Sequence, residues 1–153
     1  MPVANRDLIR AINRFEILHT IRTSGRISRV DIAKTTGLSQ ASVTGITADL
    51  IHEGMLIEKE AGESIGGRRP MLLALNPNGA FALGVYLSIY QISVVIVNFE
   101  AAIVATYVFP LDELYYSPED IADRIAQAIH ACMWQANFSK EQISGIGITV
   151  PGL

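Results

Sequence analysis

Thr36-Gly37-Leu38-Ser39-Gln40-Ala41-Ser42-Val43-Thr44 is the stretch on which the fold of this chain turns. Gly37 permits a tight link between two helices, and Ser39 has the form of an N-cap, whose hydroxyl accepts from an orphan amide of the helix that follows. That helix is read over 39–54, with Val43, Ile46, Leu50 and Ile51 as its inner face and Gly54 as its terminator. Just upstream, Ser28-Arg29-Val30-Asp31 supplies another N-cap, with an acid at the third helical position, for a short helix ending near Thr36. Two helices joined by a short glycine-containing link are a helix-turn-helix.

Working outward, Leu8, Ile12, Phe15, Leu18 and Ile21 recur at helical spacing and Ser24-Gly25 supplies a stop, which predicts a first helix over 8–23 with Leu8 to Ile21 as its apolar stripe. Downstream, residues 55–60 and 71–75 look like two strands flanking a polar tip that holds Gly66-Gly67-Arg68-Arg69-Pro70. Beyond Gly79 the hydrophobic period changes from 3.6 to about 2. Residues 81–89, 91–99 and 103–109 then predict a three-stranded antiparallel meander. Ser117-Pro118-Glu119-Asp120 opens a helix that carries Ile121, Ile125, Ile129 and Cys132 on one face to about Gln135. A last strand over 143–150 follows that helix, so it is expected to pair parallel through a right-handed crossover.

Charge separates the two parts of the chain. The formal net charge is −3, but residues 1–70 hold ten Lys and Arg against eight Asp and Glu, and residues 71–153 hold two against seven. Before position 35, Arg6, Arg10, Arg14, Arg22, Arg26, Arg29 and Lys34 meet only Asp7, Glu16 and Asp31, an excess that suits a polyanionic partner. The single cysteine, Cys132, excludes an intramolecular disulfide and fits a reducing cytoplasm, and the N-terminus lacks the apolar run of a secretory signal. Met71 to Phe99 carries no charge, but the Asn76-Pro77-Asn78-Gly79 turn and the polar Ser88, Tyr90, Gln91, Ser93 and Asn98 oppose a membrane span; buried strands account for the same composition.

With Val43, Ile46 and Leu50 turned inward, Ser39, Gln40, Ala41, Ser42, Thr44 and Gly45 lie on the outer side near the start of the third helix, the end that a helix-turn-helix presents to the major groove. Gln40 suits an adenine edge, Ala41 a thymine methyl, and Ser42 and Thr44 bases or phosphates; a plain solvated face rich in Ser and Thr is the alternative. Arg68 and Arg69, on a glycine-flanked hairpin tip, suit a narrow minor groove, the alternative being a solubilising loop. Arg14, Arg26 and Arg29 are candidate phosphate contacts. No catalytic, cofactor or metal constellation is read: His19, His52 and His130 are scattered, and His130-Ala131-Cys132 offers two candidates that a helix would divide between surface and core.

Asn13-Arg14 with Ile17-Leu18, Gly25-Arg26-Ile27-Ser28-Arg29, residues 36–44, Gly54-Met55-Leu56-Ile57-Glu58, Gly66-Gly67-Arg68-Arg69-Pro70 and Leu75-Asn76-Pro77 in that order resemble the repressor branch of the ROK family of bacterial repressors and sugar kinases. The resemblance implies an α+β / α/β chain: a winged helix-turn-helix DNA-binding domain over 1–76, then over 80–153 the first part, β-β-β-α-β, of an actin-like, ribonuclease-H-like sugar-sensing domain. It implies a regulator of carbohydrate genes that binds a double-stranded DNA operator as a homodimer, and a sugar or sugar-phosphate effector in a full-length form. Gly145-Ile146-Gly147-Ile148-Thr149-Val150-Pro151-Gly152 is similar to a family segment near the sugar pocket. The kinase members carry Asp-x-Gly-Gly-Thr after a Leu-Gly-Val like Leu83-Gly84-Val85, where this chain has Tyr86-Leu87-Ser88-Ile89-Tyr90, so neither ATP binding nor phosphoryl transfer is expected. The family's catalytic aspartate, sugar-contacting residues and cysteine-rich zinc motif lie beyond the point that Leu153 matches. A sheet of four strands with one covering helix would expose apolar surface, and self-association through residues 81–153 is expected. A sugar-kinase-like enzyme and a protein-binding winged helix are the alternative functions.

Overall fold

Gly37 and Gly54 both take left-handed backbone, at φ +70° and +76°, and each closes a helix by doing so. They punctuate a computed structural model that describes residues 3–60, 71–112 and 115–150 and separates into two compact units, Met1–Gly79 and Ala80–Leu153. In the first unit α1 spans Val3–Ser24, β1 Ile27–Ser28, α2 Arg29–Thr36, α3 Gln40–His52, β2 Leu56–Glu60 and β3 Met71–Leu75. The caps read from the sequence are made: the Ser28 hydroxyl accepts from the Asp31 amide and the Ser39 hydroxyl from the Ser42 amide, both at 3.1 Å.

Two expectations for this unit are corrected. The first helix begins at Val3 rather than near residue 8, and most of its predicted stripe faces outward: Leu8, Ile12 and Phe15 are 51–66% exposed, while Ile17 and Ile21 are fully buried and Thr20 nearly so. The steps from Ile12 to Phe15, Leu18 and Ile21 are three residues each, short of a full turn of 3.6, so that list drifts round the helix from its outer to its inner face. The two-residue β1 was not expected either; it pairs antiparallel with β3 and makes a three-stranded sheet of order β1-β3-β2. Two residues are too few to show a period of two.

The core of this unit is Ile17, Ile21, Ile32, Val43, Ile46, Leu50, Leu56 and Leu73, all at most 8% exposed. Thr47 is buried among them and satisfied, its hydroxyl accepting from Arg29 Nε at 3.1 Å and donating to the Thr44 carbonyl at 3.2 Å. Arg29 also donates to Glu58 on β2 at 2.8 Å. Across the outer edge, α1 and α3 are joined by two ion pairs. Arg10 donates to Asp49, and both Nη atoms of Arg14 donate to the two carboxylate oxygens of Glu53, the Nη1 bond at 2.8 Å.

The second unit contains β4 Phe81–Leu87, β5 Gln91–Asn98, β6 Ile103–Pro110, α4 Pro118–Gln135, a 3-10 turn Lys140–Gln142 and β7 Ile143–Thr149. β4, β5 and β6 form the expected meander, and β7 adds parallel to β4, giving the order β6-β5-β4-β7. Ser117 caps α4 through the Asp120 amide. Ala128, Cys132 and Met133 of α4 cover Leu83, Val85, Ile92, Val94 and Ile96 of the sheet. Burial pushes the Cys132 thiol pKa up, and His130 stays exposed. Ile146 and Ile148 lie beside Leu83 and Val85 in the pairing, yet each remains 55% exposed. A groove lined by Ala126, Ile129, Met133, Ile143 and Ile146 separates α4 from β7. The expected strand end at Ile89 is corrected to Leu87, because Ser88 closes the β4–β5 turn.

The hydrogen bonds from Arg14 hold the Glu53 carboxyl below its ordinary value of 4.5 against a smaller opposing effect of desolvation. A depressed folded pKa contributes stability that is whole above the ordinary value and is lost as pH falls through the folded one. Thermal unfolding should therefore show a melting temperature that drops as pH is lowered below about 4.5. Glu53→Gln should melt lower at neutral pH and lose less on acidification; an acid limb identical in slope to that of the unmodified chain would mean the pair contributes nothing.

Candidate nucleic-acid interface

The inward turn of Val43, Ile46, Thr47 and Leu50 decides which residues α3 offers to solvent. Ser39, Gln40, Ala41, Ser42, Thr44 and Gly45 are all exposed, and they occupy the first two turns of the helix and its cap. The Ser39 and Ser42 hydroxyls are 2.9 Å apart and hydrogen-bonded, so the cap also orients the next hydroxyl along. A Cβ built on Gly45 would meet nothing within 4 Å, leaving the surface there open. No acidic residue stands in the first turn of α3. The positive end of the helix dipole is thus left uncompensated, and with it amides, hydroxyls and one carboxamide that can donate to an anion or a base edge.

The cations singled out in the sequence are differently placed. Arg14 is bound to Glu53, and Arg29 to Thr47 and Glu58, whereas Arg26 is exposed and has no ion pair among the described residues. Arg68 and Arg69, with the glycines before them, lie outside the described residues. The strands that lead to that segment pair antiparallel from Leu56↔Leu75 to Glu60↔Met71. Beside the start of α3 runs a groove whose other wall is α1: Arg6, Arg10 and Asn13 face Ala41, Ser42 and Gly45 across it. Sequence reasoning counted Arg6 and Arg10 in the general cationic excess but not among the candidate contacts. The signal was present in the four-residue spacing of Arg6, Arg10 and Arg14, matched by that of Asp49 and Glu53, but pairing two helices 39 residues apart requires knowing that they touch.

The β4–β5 turn was the place to look for a nucleotide site. There the Ser88 hydroxyl accepts from the Tyr90 and Gln91 amides, at 3.3 and 3.1 Å, and donates to the Gln91 carbonyl at 3.0 Å. A turn whose Tyr90 and Gln91 amides are taken up in this way does not present those two to a phosphate. Among the described residues, no group of three or more His, Cys, Asp or Glu is placed to hold a metal ion, and no helix is long and apolar enough to cross a membrane.

Comparison with known proteins follows the same division. The MarR family model matches residues 12–62, which run from α1 through β2. The xylose repressor of Bacillus subtilis (strain 168) is 31% identical over 153 residues, covering all of this chain and 39% of the repressor. The DNA-binding transcriptional dual regulator NagC of Escherichia coli (strain K12) is 27% identical over 151 residues, covering 99% of this chain and 37% of NagC. The chain thus spans about two fifths of the length of the curated relatives it matches. The crystal structure of a ROK family transcriptional regulator, a homologue of the E. coli MLC protein, superposes with a TM-score of 0.74 at 26% identity, over 95% of this chain and 36% of that one. Repressors match this chain from end to end and a solved ROK family transcriptional regulator shares its fold, so the chain is similar to the N-terminal part of those longer regulators.

Proposed function

We propose that this protein is a sequence-specific DNA-binding regulator of carbohydrate-metabolism genes, acting as a repressor. The observation that carries the reading is the outward face of α3: a capped helix start, free of carboxylates, on which Ser39, Gln40, Ala41, Ser42, Thr44 and Gly45 are exposed together. A helix of that kind fits the major groove, with Gln40 on an adenine edge, Ala41 on a thymine methyl, and Ser42 and Thr44 on bases or phosphates. Arg68 and Arg69 contact the adjacent minor groove. Arg26, exposed and free of ion pairs among the described residues, is a backbone contact. Arg14 and Arg29 serve the duplex from their carboxylate partners, holding α1 and the β2–β3 hairpin against α3 while their outer edges meet phosphate.

The names of the relatives supply the rest of the proposal. Repressors named for xylose and N-acetylglucosamine support a sugar or sugar-phosphate effector, bound by a longer chain than the one described. Binding to an operator of two half-sites calls for a homodimer, and the work is cytoplasmic. A β4–β5 turn whose Tyr90 and Gln91 amides are held by the Ser88 hydroxyl supports a regulator without kinase activity.

Selection from a random duplex pool should recover an enriched operator. Gln40→Ala should then relax discrimination at one adenine-containing position, by about 1–3 kcal/mol, with little change in affinity for random duplex. Equal weakening on both DNAs would move Gln40 from reading to positioning. Arg68→Ala combined with Arg69→Ala should flatten the slope of log K against log salt by up to about 1.8 per protomer. An unchanged slope removes the hairpin arginines from the interface.

A further inference from the structure

The two ion pairs between α1 and α3 are rungs of one ladder. Arg10 meets Asp49 and Arg14 meets Glu53, so each rung joins residues 39 apart, and successive rungs are four apart on both helices. The same step taken towards the N-termini pairs Arg6 with Gly45. Both helices continue through those positions, α1 from Val3 and α3 from Gln40, and Arg6 and Gly45 line the groove between them. A third arginine is therefore present where its carboxylate is not. Gly45 has open space around it, Arg6 is exposed, and Arg6 makes no ion pair among the described residues.

We propose that Arg6 is a contact to the DNA backbone, a phosphodiester oxygen taking the place that the third carboxylate of the ladder would fill. The inference rests on the proposed DNA-binding function and adds a residue to its site. The ladder sorts its cations by position. At the C-terminal end of α3 the arginines are neutralised and hold the two helices together; at the N-terminal end, beside Ala41, Ser42 and Gly45, the charge is left open. An anion there meets a guanidinium on one side and the uncompensated positive end of α3 on the other. A phosphodiester flanking the bases read by α3 satisfies both, and such a contact adds affinity without sequence preference.

The test is a salt titration of binding to a random-sequence duplex, read by fluorescence anisotropy, for the unmodified chain and for Arg6→Gln, Arg6→Lys and Arg22→Gln. Arg22 is an exposed control in the last turn of the same helix, outside the groove. Arg6→Gln should lower the slope of log K against log salt by about 0.9 per protomer, while Arg6→Lys and Arg22→Gln keep it. All variants should retain the unmodified melting temperature, since Arg6 holds no structural pair. A slope unchanged in Arg6→Gln, or lowered equally in Arg22→Gln, overturns the assignment of Arg6 and leaves the DNA-binding reading standing. Failure of the unmodified chain to bind any duplex at low salt overturns that reading, and this one with it.

Discussion

Burial of one face of α3 is the constraint on which the rest of the first unit depends. Val43, Thr47 and Leu50 are wholly removed from solvent, and Ile46 nearly so, against Ile17, Ile21, Ile32, Leu56 and Leu73. Each fully buried aliphatic side chain is worth about 1.5–3 kcal/mol, whereas an exposed ion pair is worth about 0–1 kcal/mol. The core therefore holds the helix, and the Arg10–Asp49 and Arg14–Glu53 pairs fix its register along α1. Once the inner face is set, the outward positions of Gln40, Ser42, Thr44 and Gly45 are not free to vary.

The same geometry divides the basic charge. A count of arginines in the first 35 residues suggests a uniformly cationic helix, but the arginines of α1 and α2 differ in what they face. Arg10, Arg14 and Arg29 are engaged by carboxylates from α3 and β2, which removes most of their long-range field. Of the three ladder arginines, the one left open, Arg6, lies beside the start of α3, where the helix dipole has the same sign. A polyanion would then be oriented by the few unpaired groups rather than by the net charge.

In the second unit the determining feature is the edge strand. β7 pairs parallel with β4, but α4 lies over β4, β5 and β6 and leaves Ile146 and Ile148 half exposed. A parallel strand is normally covered on both faces. Its apolar, glycine-interrupted sequence suits such burial better than it suits water.

Much of this was determined by the sequence alone, and the reason is that the signals were local. Ser28, Ser39 and Ser117 announce their helices because a hydroxyl can reach an amide three residues on, and Gly37 and Gly54 announce helix ends because left-handed backbone is cheap for glycine. Alternation in residues 81–109 predicts the meander for the same kind of reason. What tertiary structure decided was which of two apolar stripes of α1 is inside, that β1 exists, and which cations are paired. Leu8, Ile12 and Phe15 have as much claim to a core as Ile17 and Ile21 until α3 packs against one side. Likewise, no window of the chain shows that Arg10 and Arg14 meet Asp49 and Glu53 while Arg6 meets a glycine, because that pairing exists only where two helices distant in sequence lie side by side.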